Sequence, residues 1–106
     1  MAPSQTSPGP HAIRINVVNG RVQVTPNSQH SKRSEALKWT CDDGNYAILF
    51  SGDSPSDRPG GGNRSGQPVD MSVRANANAG SYKYIVAVAS GNDVLIVDPE
   101  IIIDVP

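Results

Sequence analysis

A second cysteine is missing from the chain: Cys41 stands alone, which excludes an internal disulfide and every thiol motif built from a pair. Histidine is scarce too, with only His11 and His30 to offer imidazole nitrogens. No basic start followed by an apolar stretch opens residues 1–20, and no apolar run approaches the ~18 residues of a membrane helix. The default expectation is therefore a cytoplasmic chain with no membrane association. A basic track is lacking as well, since Lys32 and Arg33 form a pair and not a stripe, so nucleic acid is not an expected partner. Helical periodicity appears nowhere along the chain.

What remains is Val and Ile in short alternating runs, punctuated by 10 Gly and 9 Pro. A chain of 106 residues has room for one hydrophobic core and not for two. Residues 1–11 are dominated by Pro, Ser, Gly, Thr, Gln and Ala and read as a flexible tail; residues 12–106 read as a single domain. The net charge of −1 conceals an asymmetry. Residues 1–40 set five basic side chains against Glu35 alone, whereas the remainder sets eight Asp and Glu100 against four basic residues. Complementary patches of this kind favour self-association unless the fold interleaves the two halves.

From Ala12 onward the pattern has a period of two. Ile13, Ile15 and Val17 share one face, then Asn19-Gly20 separates them from Val22 and Val24. Asn-Gly between alternating runs signals a tight hairpin, because both central positions of a type I′ turn need positive φ. Residues 26–34 are polar and read as a loop. Leu37, Trp39 and Cys41 alternate next, Asp42-Asp43-Gly44-Asn45 supplies a turn, and residues 46–50 form a strand that is apolar on both faces, which marks it as central and covered. Residues 51–68 hold five Gly and three Pro in eighteen positions without periodicity and read as a long surface loop. Val69–Ala75, Ser81–Ala89, Val94–Val97 and Ile101–Val105 complete the series, with Pro99 breaking the last two apart. Seven or eight short strands with no helix to cover their apolar stripes predict a small all-β, antiparallel Greek-key β-sandwich.

Two of these segments carry a resemblance. Leu37-Lys38-Trp39-Thr40-Cys41, a polar turn and Tyr46-Ala47-Ile48-Leu49-Phe50 resemble the cupredoxin pattern, in which a Trp-bearing strand leads into His-x-Val-x-Phe. Gly80-Ser81-Tyr82-Lys83-Tyr84-Ile85-Val86 is similar to that family's later Gly-x-Tyr-x-Tyr/Phe-x-Cys. The resemblance implies a cupredoxin-like sandwich, with an immunoglobulin-like one as the alternative. It also marks the departure. Tyr46 stands where the first histidine ligand would be, Val86 stands where the cysteine ligand would be, and no His, Met or Cys follows Val86. A blue-copper centre needs thiolate and imidazole donors in one place, so the resemblance implies the framework of the family without its metal.

The remaining candidates have ordinary explanations. Cys41 reads as a buried, inert thiol. Gly60–Gly66 lacks the Lys-Ser/Thr completion of a phosphate loop, and Asn63-Arg64-Ser65 matches a glycosylation acceptor in a chain with no export signal. Asp42, Asp43 and Asp93 are oxygen donors for a weak calcium site if their turns converge. Tyr46, Tyr82 and Tyr84 could line a small-ligand pocket. No nucleophile, base and orienting carboxylate are visible together. The expectation is a non-enzymatic module with no catalytic residue, no cofactor and no metal, acting through a protein partner or as a homo-oligomer. Its contact surfaces would be the loop at 51–68 and the apolar strands Val94–Val97 and Ile101–Ile103. A metal-binding or electron-transfer relative and a small-ligand-binding domain are the alternatives.

Overall fold

The structure is a computed structural model that describes residues 10–104. Ten strands follow in order: β1 His11–Val18, β2 Arg21–Thr25, β3 Ser28–Ser31, β4 Ala36–Cys41, β5 Tyr46–Phe50, β6 Gly60–Asn63, β7 Val69–Ser72, β8 Gly80–Ser90, β9 Asp93–Val97 and β10 Glu100–Ile103. They form two sheets. One has the order β2-β1-β4-β7; the other has the order β3-β10-β8-β5-β6, with β9 also paired to β8.

Turn chemistry fixes the first hairpin as expected. Asn19 and Gly20 take φ of 53° and 75°, and β1 and β2 pair antiparallel from Arg14↔Thr25 to Val18↔Arg21. The chain then leaves the first sheet at the cis Thr25–Pro26 bond and enters the second as β3. Here the structure departs from the loop expected at residues 26–34. Ser28-Gln29-His30-Ser31 has no apolar alternation to announce a strand; its backbone is recruited by β10, which it meets in parallel register. A second parallel pairing joins β1 to β4. The sheets are therefore mixed, since side-chain alternation reports which face is buried and carries no information on strand direction.

The stretch expected as one loop at 51–68 is also divided. Its glycines 60–62 lie in β6, paired antiparallel with β5. A Cβ on Gly60 would run into the Ile48 carbonyl oxygen, and one on Gly62 would stand 2.8 Å from that of Tyr46. Close backbone approach, and not freedom of movement, requires glycine at these positions. The preceding segment is tied down as well: Ser56 Oγ donates to the Arg58 carbonyl at 2.6 Å, Arg58 Nη2 donates to the Asp70 carbonyl and Arg74 Nη2 donates to the Ser54 carbonyl at 2.6 Å. At the other end of the chain, His11 opens β1 and so lies outside the expected tail, while residues 1–9 of that tail lie outside the described residues.

The inner faces of the two sheets enclose a core of Ile13, Ile15, Leu37, Trp39, Ile48, Phe50, Tyr84, Val86, Val88, Ile101 and Ile103, with Cys41 among them. Trp39 meets Tyr84 edge to face, with centroids 5.7 Å apart and planes at 78°, and Phe50 packs on the same tyrosine at 5.3 Å. Such ring pairs add about 0.5–1.5 kcal/mol beyond area burial. Trp39 Nε1 donates to the Tyr84 hydroxyl at 3.2 Å, so the indole N–H is satisfied inside the core.

Candidate interaction surface

Alternation along β5, β8 and β9 turns one set of side chains into the core and presents the other to solvent. In register, Ala47 stands beside Ala87 and Ala87 beside Ile96; Leu49 stands beside Ile85 and Ala89 beside Val94. From Ile85 onward this outer set is apolar, with Ser81 and Lys83 forming its polar end at the start of β8. Leu49 is 54% exposed, and Val94 and Ile96 are each 65% exposed. Gly60 and Gly62 extend this face as bare backbone on β6. The strand at 46–50 is thus central within its sheet yet covered on one face only, contrary to the two-sided coverage expected from its composition.

The other expected contact strand behaves differently. Ile101 and Ile103 of β10 point into the core and are buried, with Ile102 half-buried on the outer side. Around it the outer face is polar: Glu100 accepts from Ser28 Oγ at 2.6 Å and from Ser81 Oγ at 2.5 Å. Those two hydroxyls hold the Glu100 carboxyl below its ordinary range. His30 Nδ1 lies 3.1 Å from the Asp104 carboxylate on the same exposed rim.

The residues considered for metal or ligand chemistry are engaged elsewhere. Tyr46, at the start of β5, is buried; its hydroxyl sits between the Gln67 carbonyl at 2.6 Å and the Trp39 carbonyl at 3.0 Å, and burial pushes its pKa up to about 12. Val86 is buried in the middle of β8, which runs on for four residues in regular pairing with β9. Cys41 is buried at the end of β4, where desolvation raises its thiol pKa and favours the uncharged form. His11 pairs with Glu35 at 2.8 Å; Glu35 also takes the Lys32 amide, and the His11 contact first among these holds its carboxyl below the ordinary range. Among the described residues no group of three or more His, Cys, Asp or Glu is placed to hold a metal. The residues at the positions resembling copper ligands therefore do not fit that ion.

The acidic turn has a structural task. Asp43 Oδ2 accepts from the Val17 amide at 2.7 Å and Asn45 Oδ1 accepts from the Ser65 amide at 3.1 Å, which ties the β4–β5 turn to β1 and to the segment after β6. Arg33 Nε donates to the Ala77 carbonyl at 2.7 Å, leaving Lys32 beside it without a basic track. Asn63 donates to the Pro68 carbonyl at 2.9 Å and caps the Arg64 amide. Of the three tyrosines, Tyr84 is closed in the core and Tyr82 lines a shallow hollow of about 290 Å³ with Ser51–Asp53, Ser81 and Lys83. A second shallow hollow of about 310 Å³ lies between Arg58 and Arg74; each donates one Nη2 to a backbone carbonyl, and Arg74 Nε is buried without a partner. No described helix is long and apolar enough to cross a membrane.

The fold is a two-sheet, all-β sandwich with an aromatic core cluster and, among the described residues, no gathered metal donors, a framework of cupredoxin-like layout. Comparison with solved structures agrees on the framework: the reduced copper(I) form at pH 4 of a mutant of amicyanin matches with a TM-score of 0.54 at 10% identity, covering 94% of this chain and 87% of that one. At that identity the likeness concerns the fold alone. No family profile matches the sequence, and no curated protein matches it.

Proposed function

We propose that the chain is a non-catalytic cupredoxin-like module, one sandwich unit from β1 onward, that works through protein contacts. The observation that carries this reading is the outer face of β5, β8 and β9, where Leu49, Val94 and Ile96 stand exposed beside Ala47, Ile85, Ala87 and Ala89. Single exposed apolar residues are ordinary on protein surfaces, but a contiguous apolar sheet face is a recurrent mark of an interaction site. Support also comes from what surrounds it: the candidate ligand positions are filled by Tyr46 and Val86, and the hollows are shallow. Of the two expected contact surfaces, the β9 strand fits this role, whereas the loop is spent on binding β7 and β5.

Native mass measurement on untagged chain recovered from its source tests the proposal. The expected result is a species heavier than the 11.2 kDa chain, without stoichiometric metal, whose excess mass is lost in an Ile96→Glu variant that remains folded. A lone chain carrying copper would overturn it, and so would a lone chain carrying none.

A further inference from the structure

β8 is eleven residues long, and its two edges are used unequally. One edge pairs with β5. The other is shared end to end: its first part takes β10, from Gly80↔Ile103 to Lys83↔Glu100, and its last part takes β9, from Val86↔Val97 to Ser90↔Asp93. Asp98-Pro99 separates the two, and they meet different fates. The far edge of β10 is covered by β3, whereas no described strand pairs with the far edge of β9. β2 lies against β9 from the opposite sheet and is hydrogen-bonded to β1 instead. Alternate residues of β9 therefore leave their backbone donors and acceptors at an open edge, directly beside Val94 and Ile96, the most exposed large apolar side chains among the described residues.

We propose that a second copy of this chain covers that edge, with β9 pairing antiparallel to the partner's β9 about a twofold axis at Leu95. The inference rests on the protein-contact reading above and names the partner. Register argues for it. Centred on Leu95, the pairing uses the whole of β9 and sets Val94 against the partner's Ile96 and Ile96 against the partner's Val94, so the two 65%-exposed side chains cover each other. A shift of one residue would oppose inward to outward faces. Moving the centre to Ile96 would face Val94 with the partner's Asp98, and moving it to Val94 would face Ile96 with the partner's Asn92.

Charge permits the approach. The flank of the sandwich formed by β2 and β9 carries Arg21 and Asp93, one of each sign, and the whole chain carries a net charge of only −1. In the Leu95-centred register neither acid faces its own copy: Asp93 opposes the partner's Val97 and Asp98 opposes the partner's Asn92. A five-residue edge with two flanking apolar side chains buries less than the roughly 1,200 Å² at which stable complexes begin. The dimer is accordingly reversible, with a dissociation constant in the micromolar range.

Sedimentation velocity of the full chain from low micromolar to millimolar concentration tests it. The mass should rise from 11.2 kDa toward twice that value, and Ile96→Lys should weaken the association at least tenfold while leaving the melting transition in place. Register is read by mixing a Val94→Cys chain with an Ile96→Cys chain, which should form interchain disulfides several times faster than either chain alone; native Cys41 is buried and does not compete. A monomer across the whole range would overturn the proposal. So would a dimer indifferent to Ile96→Lys, or one that links Val94→Cys to itself fastest. A monomer here, together with a heavier complex of unequal subunits from the source, would show that a foreign strand takes the β9 edge: the second-copy proposal would fail and the protein-contact reading would stand. A lone chain from the source as well would end both.

Discussion

The two halves of β8 face the same solvent and have been finished in opposite ways. Beside β10 the outer face is polar, Glu100 is clamped by Ser28 and Ser81, and β3 closes the edge. Beside β9 the outer face is apolar and the edge is open. Isoleucine occurs in both halves: Ile101 turns inward at 0% exposure, and of the two that turn outward Ile102 is half-buried while Ile96 is 65% exposed. Residue type is shared, so the difference lies in what covers it. One half has been completed within the chain, and the other has the chemistry of a joint.

The sharpest way to break this comparison is to cut the inward Ile101 and the outward Ile96 back to alanine. Ile101→Ala should cost about 2–5 kcal/mol, through lost burial and the cavity left behind, whereas Ile96→Ala in the monomer should stay within about 0.5 kcal/mol of wild type. Chemical denaturation of the two variants at low protein concentration measures both. Equal losses would mean that the outer face of β9 is as covered as the core.

Tyr84 sits at the junction of the halves and gives the next largest effect. Tyr84→Phe keeps the ring stack and leaves the Trp39 indole N–H without its hydroxyl partner, which should cost about 1–3 kcal/mol. The same phenol predicts a pH dependence. Burial pushes its pKa up from 10.0, the ordinary value for a tyrosine, to about 12, so above pH 10 the unfolded chain gives up a proton that the folded chain retains. Stability is therefore fully present below pH 10 and falls as pH rises toward 12, by roughly 2 kcal/mol in all. Thermal melts between pH 9 and 12 should show the decline, and Tyr84→Phe should flatten it, with the part due to Tyr46 remaining.

The smallest effect sharpens the comparison instead of breaking it. Glu100→Ala removes the acceptor shared by Ser28 and Ser81. Amide hydrogen exchange should quicken in β3 while β9 keeps the wild-type pattern, because the clamp serves only the closed half.

Much of the framework could be read from the residues. Asn19-Gly20 announced its hairpin, and the alternations at Ile13–Ile15 and Leu37–Cys41 announced core faces that the structure buries. Strands β3 and β6 could not be read in this way. Ser-Gln-His-Ser and Gly-Gly-Gly-Asn carry no apolar stripe, and their pairing is imposed by β10 and β5. The candidate surface was half legible. Val94–Val97 and Ile101–Ile103 are equally apolar in sequence, and periodicity cannot tell a strand flanked on both edges from one flanked on a single edge. That distinction arises where the chain changes sheets at Pro26 and pairs Ser28–Ser31 with β10. The substitutions Tyr46 and Val86 were legible outright, since donor chemistry is a property of the side chain itself.

The acidic residues at the ends of β9 acquire a further role from its open edge. Val94-Leu95-Ile96-Val97 is a short, uncharged, strongly β-forming run of the kind that seeds fibrous assembly when it is left unguarded. Asp93 closes it on one side and Asp98-Pro99 on the other, and both acids are exposed. They work as gatekeepers: each added chain brings its own pair of negative charges, and the proline forbids the ladder from running on into β10. Two exposed carboxylates, one of them 4.0 Å from Lys83 Nζ, thus limit how far the β9 edge can be extended.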